Sequence, residues 1–362
     1  MEIYFLKEEN LLNFLDSLEV DYRVFVPVKT ASKPYTCPYG VETGITDYIL
    51  KEYSLLKKEE ISFNPYRSIE PLKTYFLPLK ETLAKYFDYP LNEEGKKPLA
   101  IFGVKNCDLF SLKIQDFVFR EGVSKDPFYE KRRTDNLIIT SDCWGFKEVC
   151  FCLAMNILPY PQIGFDLNFS LLNDGFLVEV GSERAKKIIE LNSAYFKPAT
   201  MAKVSSRDKK RESLILALKK HLALHPLPAP EIIPSLVKES YNSSLWKDYV
   251  LNCVECGGCN FVCDTCHCFL LSDERFGNAN ERVRSWDACL YANFARVAGG
   301  ANPLKFRYQR LRNRYLKKFD FFFQNLGLLA CCGCGRCIEV CPAKIDIREI
   351  LRKLGELIKS SE

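Results

Sequence analysis

The chain has 362 residues, 47% of them hydrophobic and 27% charged, with a net charge of +5. That size and balance suit an ordinary globular protein with room for two cores. No apolar run reaches the roughly 18 residues of a membrane-spanning helix, the start MEIYFLKEENLLNFL has no secretory-signal pattern, and the mild charge alone calls for no nucleic acid.

Residues 8–19 place Leu11, Leu12, Phe14, Leu15 and Leu18 at helical spacing and predict an amphipathic helix. A strand follows over 23–28. Residues 30–40 (TASKPYTCPYG) read as loop, because two prolines and a glycine break any period. Short apolar strands are predicted over 98–104 (PLAIFGV) and 136–140 (NLIIT), and each runs into a cysteine, Cys107 after the first and Cys143 after the second. A helix is expected over 109–119. Strand–turn–helix units of this kind predict an α/β domain whose ligands lie beyond the carboxyl ends of the strands. A basic helix is expected over 207–223. The proline-rich stretch HPLPAPEIIP at 225–234 then marks a domain boundary. The expected organisation is an α/β (or α+β) domain over 1–235 and an α-helical ferredoxin domain over 236–362.

Cysteine usage is the informative part of the composition. The chain holds 17 cysteines, 12 of them between Cys253 and Cys341. An odd total in a chain without a secretory signal argues for metal ligands over disulfides. Two runs share one spacing: Cys253-x2-Cys256-x2-Cys259-x3-Cys263 and Cys331-x2-Cys334-x2-Cys337-x3-Cys341-Pro342. A [4Fe–4S] cube needs four converging thiolates, and a loop with two-residue gaps presents three of them. The fourth cysteine is expected to enter a helix and, by the rule of two-cluster ferredoxins, to ligate the other cube. On that rule Cys253, Cys256, Cys259 and Cys341 hold one cluster, and Cys331, Cys334, Cys337 and Cys263 hold the second. Gly257, Gly258, Gly333 and Gly335 would let backbone N–H groups approach the sulfides. Zinc also takes C-x2-C pairs, but four-coordinate zinc has no use for the third and fourth cysteine of each run. Asp264 stands where proline often follows such a run.

The insert between the runs reads as largely helical, over 284–297 and 303–319. Its second helix carries Lys305, Arg307, Arg310, Arg312, Arg314, Lys317 and Lys318. Those cations would offset cluster charge or dock an acidic partner; a solvated basic face accounts for them equally well, and RNA binding is a distant alternative. Cys266, Cys268, Cys289 and Cys332 fall outside both quartets and stay unassigned between a further site and apolar packing. His267, between two of them, reads as a packing or hydrogen-bonding residue. In the first domain Cys107, Cys143, Cys150 and Cys152 match one cube in number but not in regular spacing. Cys37 has no companions. Neither a G-x-G-x-x-G turn after a strand nor a phosphate loop is present, so no flavin or nicotinamide is expected on this chain.

Over nearly its whole length the sequence resembles the β subunits of cytoplasmic [NiFe] hydrogenases of the sulfhydrogenase type, a family related to the iron–sulfur subunits of anaerobic sulfite reductases. The segments that carry the likeness are GVKNCDLFSLKIQD, DPFYEKRR, SDC with CFC, GFDL, VEVGS, CVECGGCNFVCDTCHC, RSWDAC, VAGG, RNRY and CCGCGRCIEVCP. Ala301 departs from it, since relatives tend to carry histidine after the glycine pair. The resemblance implies a cytoplasmic electron-transfer component of an oxygen-sensitive complex, not catalytic alone. It would relay electrons between two partners. One is a flavin-containing, NAD(P)-reactive subunit; the other is a [NiFe] hydrogenase subunit, or else a sulfite reductase or heterodisulfide-reductase-like partner. The resemblance also favours a third cluster on Cys107, Cys143, Cys150 and Cys152.

Overall fold

A computed structural model describes residues 2–30, 35–36, 42–43, 47–57, 60–86, 97–277 and 279–359. Most of the loop expected over 30–40, Cys37 included, lies outside them. The chain forms two compact units, one of residues 1–72 and 97–225, the other of residues 73–96 and 226–362.

The first unit is built on an eight-stranded sheet. Its centre is a parallel block of Arg23–Thr30, Leu99–Val104, Leu137–Ser141 and Leu167–Leu171, in register through Val24 with Ala100, Ile101 with Ile138, and Ile139 with Leu167. Strands Leu99–Val104 and Leu137–Ser141 are almost wholly buried, as parallel strands covered on both faces must be. Antiparallel strands complete the sheet: Asp47–Glu52 at one side, and Gly175–Val180, Ile3–Lys7 and Phe196–Pro198 at the other. Helix Leu11–Leu18 turns Leu11, Phe14, Leu15 and Leu18 into the core. There Phe14 meets Phe196 edge-on, with ring centroids 5.1 Å apart. The helix expected from Leu109 begins three residues earlier, at Asn106, so that Cys107 lies in its first turn. The basic helix is longer than expected, Met201–Ala223, with Thr200 accepting from the Lys203 N–H at its start.

The second unit differs from the helical domain expected. Phe269–Phe276 and Ala279–Trp286 form an antiparallel hairpin, and Lys80–Lys85 pairs with its second strand. The helix predicted over 284–297 is therefore absent: Arg284–Trp286 are strand, and 287–297 are turns and irregular backbone. Cross-strand charge pairing decides it. Arg284 is buried against Glu81, and Arg282 pairs with Asp273, contacts that a helix would forfeit. The Gly277-Asn278 dipeptide between two alternating runs is the sequence signal for this hairpin. Its helices include Ile233–Glu239, Arg307–Tyr315, the π-helical turn Leu316–Phe321, Phe322–Leu326 and Ile347–Lys359.

Candidate metal centres

The two cysteine runs fold alike. Each places two left-handed residues around its second cysteine: Glu255 (φ 57°) and Gly257 (φ 70°) in the first, Gly333 (φ 65°) and Gly335 (φ 74°) in the second. A short helix follows each, Gly258–Phe261 and Arg336–Glu339. The third cysteine lies inside the helix and the fourth just beyond it, a correction to the expectation that the fourth enters one. A side chain at Gly257 would strike the Ala288 Cβ at 2.8 Å and the Tyr291 ring at 2.9 Å, so the tight loop requires glycine there. Glu255 bears its positive φ as a non-glycine; its carboxylate is held by the Arg310 guanidinium.

Cys253, Cys256, Cys259 and Cys341 line one cavity, together with Cys337, Val254, Leu311, Arg314 and Ile347. Cys263 stands near enough to the second run for its charge to act on Cys331 and Cys337, and Cys334 acts on Cys337. Cys263, Cys331 and Cys334 are buried, whereas Cys256 is exposed, so the first quartet stands nearer solvent. Among the described residues no three Cys, His, Asp or Glu side chains gather around a point the size of one ion. Around the first quartet they ring a volume instead.

The basic run beside these cysteines is not a solvated face. Arg310, Arg312, Arg314 and Lys318 are buried. Arg310 donates to the Leu290, Leu304 and Lys305 carbonyls, and Arg312 to Tyr241 O while stacking 3.6 Å over the Tyr241 ring. Lys318 Nζ, on the π-helical turn, donates to Cys263 Sγ at 3.2 Å, Thr265 Oγ1 at 2.8 Å and Ala330 O at 3.1 Å. Lys305 and Arg307 remain exposed, and Arg307 still donates to Cys253 O at 2.8 Å. Buried cations need compensating anions: Glu255 serves Arg310, and Cys263 lies against Lys318. Burial pushes Cys259 and Cys331 up to about 12 and Cys337 up to about 11. Cys263 goes the other way, held well below its ordinary value by a hydrogen bond from Cys266 and then by Lys318 and Arg314. Burial alone would lower Lys318, but the Cys263 thiolate beside it outweighs burial and holds its ammonium above the ordinary value.

These features fit a cluster. Arg314 Nε is buried with no hydrogen-bond partner among the described residues, and Arg314 lines the thiol cavity. A cubane sulfide beside it would supply the missing acceptor.

In the first unit Cys143, Cys150 and Cys152 gather beyond the carboxyl end of one parallel strand, and Cys107 follows the carboxyl end of its neighbour. Cys107 sits in the helix turn after Leu99–Val104, and Cys143, Cys150 and Cys152 follow Leu137–Ser141. Cys143, Cys150 and Cys152 pack with Leu214 and Leu218 of the long basic helix. The buried Lys105 ammonium donates to Ser141 Oγ at 2.7 Å and Asp142 O at 3.0 Å. It faces Cys143 and Cys107 as well, yet burial brings it below its ordinary value. Behind them Asp142 accepts from Arg211, Asn168 and Ser170. Burial pushes Cys143 up to about 12 and Cys152 well above its ordinary value.

Residues 252–345 match the 4Fe-4S dicluster domain family. The chain is 32% identical over 321 residues to the sulfhydrogenase 2 subunit beta of Pyrococcus furiosus, covering 88% of this chain and 92% of that protein. The chain belongs to the sulfhydrogenase β-subunit family. It is thus an iron–sulfur subunit of the hydrogenase type. It is also 25% identical over 189 residues to the F420-dependent formate dehydrogenase subunit beta of Methanocaldococcus jannaschii, 51% of this chain and 40% of that one. Among the described residues no helix is long and apolar enough to cross a membrane.

Proposed function

We propose that the chain is a cytoplasmic relay, passing single electrons through [4Fe–4S] clusters. On one side stands a flavin-containing, NAD(P)-reactive subunit, on the other a [NiFe] hydrogenase subunit. Two clusters lie in the second unit: Cys253, Cys256, Cys259 and Cys341 hold one, and Cys331, Cys334, Cys337 and Cys263 the other. Cys107, Cys143, Cys150 and Cys152 hold a third in the first unit. The observation that carries the reading is the gathering of Cys341 with the first run around one cavity, the interleaving by which a cube in each quartet is brought close to its neighbour. The buried Arg314 and Lys318 offset the charge of the thiolates. The more exposed first quartet suits exchange with a partner, and the buried second one suits passage through the unit.

The partial likeness to a formate dehydrogenase subunit supports a second reading, the same relay serving another terminal enzyme, for which a sulfite reductase and a heterodisulfide-reductase-like assembly are the alternatives. The test is electron transfer in the native complex. Hydrogen-driven reduction of NAD(P)+ should be lost in Cys334→Ala, while hydrogen-driven reduction of a viologen by the hydrogenase subunit persists. Nicotinamide reduction that survives without these clusters would refute the relay.

A further inference from the structure

Of the four cysteines of the second unit outside both quartets, three share a place with a histidine. Cys266, His267, Cys268 and Cys289 line one cavity. Cys266 and Cys268 come from the turn after the first cysteine run, and Cys289 from the irregular segment after the hairpin. The hairpin between them, with Phe269 opposite Trp286, brings the two segments side by side.

The surroundings are those of a ligand set. Asn260, buried beneath the first run, donates from Nδ2 to Cys289 Sγ at 3.2 Å and to Cys266 Sγ at 3.6 Å. N–H groups aimed at thiol sulfurs suit thiolates that keep part of their charge when bound to iron. The His267 ring packs edge-on to Phe322, and its Nδ1 lies 3.2 Å from the Thr265 carbonyl. A carbonyl only accepts, so the proton is on Nδ1 and the Nε2 lone pair is left to bind a metal. Three cations, Arg314, Lys317 and Lys318, line the same cavity, more positive charge than apolar packing of thiols would call for. Arg314 borders this cavity and that of the first quartet alike, and its Nε is the buried donor without a partner among the described residues.

We propose that Cys266, Cys268 and Cys289, with His267 through Nε2, bind a further [4Fe–4S] cluster in the second unit, beside the two quartets. The inference rests on the reading of those quartets as cluster sites. One imidazole in place of a thiolate makes this cube less negative than its neighbours and raises its potential, as histidine ligation does elsewhere. It would be the most easily reduced centre of the unit, a place where an electron pauses.

The test uses the full chain, purified without oxygen, as the parent and as Cys289→Ala, His267→Cys and Cys334→Ala. Cys289→Ala should carry about four fewer irons and four fewer sulfides than the parent. The reduced parent should show strong nitrogen-14 coupling in pulsed EPR from the bound imidazole. His267→Cys should keep the iron and lose that coupling, a result that also stands if Cys289→Ala does not fold. An unchanged iron count in Cys289→Ala with a lowered one in Cys334→Ala would overturn this site and leave the quartets standing. Absence of the nitrogen coupling from the reduced parent, or zinc in place of the iron, would overturn it too. Iron unchanged in both variants would remove the quartets along with it.

Discussion

The Asp264 carboxylate and the Arg336 guanidinium form an ion pair at 2.8 Å, with side chains 0% and 2% exposed. Asp264 directly follows the last cysteine of the first run, and Arg336 directly precedes the third of the second. The pair therefore bolts the two runs together. Asp264 also accepts from the Lys73 backbone N–H at 3.0 Å, which ties the segment from Lys73 to the same point. The aspartate that replaces the usual proline thus acts as a clamp.

Removing one partner of so buried a pair leaves a charge without its counterion, at a cost of about 3–5 kcal/mol. Asp264→Ala should lower the stability of the anaerobic protein by that much in denaturant unfolding. Asp264→Ala combined with Arg336→Met should recover most of the loss. A double variant as unstable as the single one would show that the pair acts in some other way.

Arg314 places a buried positive charge beside the first quartet. A unit charge about 6 Å from a cluster, at an effective dielectric of ~20, shifts its one-electron potential by on the order of 100 mV. Arg314→Met should move the midpoint of that cluster down by this order in an EPR-monitored redox titration, with iron content unchanged. A midpoint within a few millivolts of the parent's would separate Arg314 from the cluster.

Much of the site could be read from residue spacing. The two cysteine runs, the strands ending near Cys107 and Cys143 and the helix after Cys107 all rest on local signals: apolar runs, turn residues and ligand periodicity. What escaped depends on partners far away in sequence. The hairpin Phe269–Phe276 with Ala279–Trp286 is fixed in part by Lys80–Lys85, nearly two hundred residues earlier, and the segment at Arg284 reads as helix unless Glu81 is placed beside it. The arginines of Arg307–Tyr315 look like a solvated face because the thiols and carbonyls that bury them come from other segments. The gathering of Cys289 with Cys266 and Cys268 follows from that hairpin, which brings their two segments together.

Cys107, Cys143, Cys150 and Cys152 allow a direct choice between cluster and packing. Cys143→Ser should remove about four irons per chain if they hold a cube, and Cys107→Ser should do the same. Buried thiols acting only as small apolar groups would leave the iron count as it was. Iron and sulfide analysis decides it.

The buried thiols also predict a pH dependence. Burial lifts Cys143, Cys259 and Cys331 from 9.0 to about 12 and Cys337 to about 11. In the metal-free chain the folded state therefore holds these protons more tightly than the unfolded state does. The stability they contribute is fully present below pH 9 and drains away as pH rises toward 11 and 12. In the loaded chain the thiols have already given up their protons to bind iron, so that slope should be missing. Denaturant melts of both forms between about pH 8 and 11 test this; equal slopes would contradict it.

The most direct measurement of the central claim is which EPR signal each cysteine controls in the dithionite-reduced, anaerobically purified chain, with iron counted alongside. Cys253→Ala and Cys341→Ala should extinguish one [4Fe–4S] signal, and Cys331→Ala and Cys263→Ala the other, each with the loss of about four irons. A colourless protein holding only zinc, or Cys341→Ala extinguishing the signal governed by Cys331, would contradict the interleaved pair.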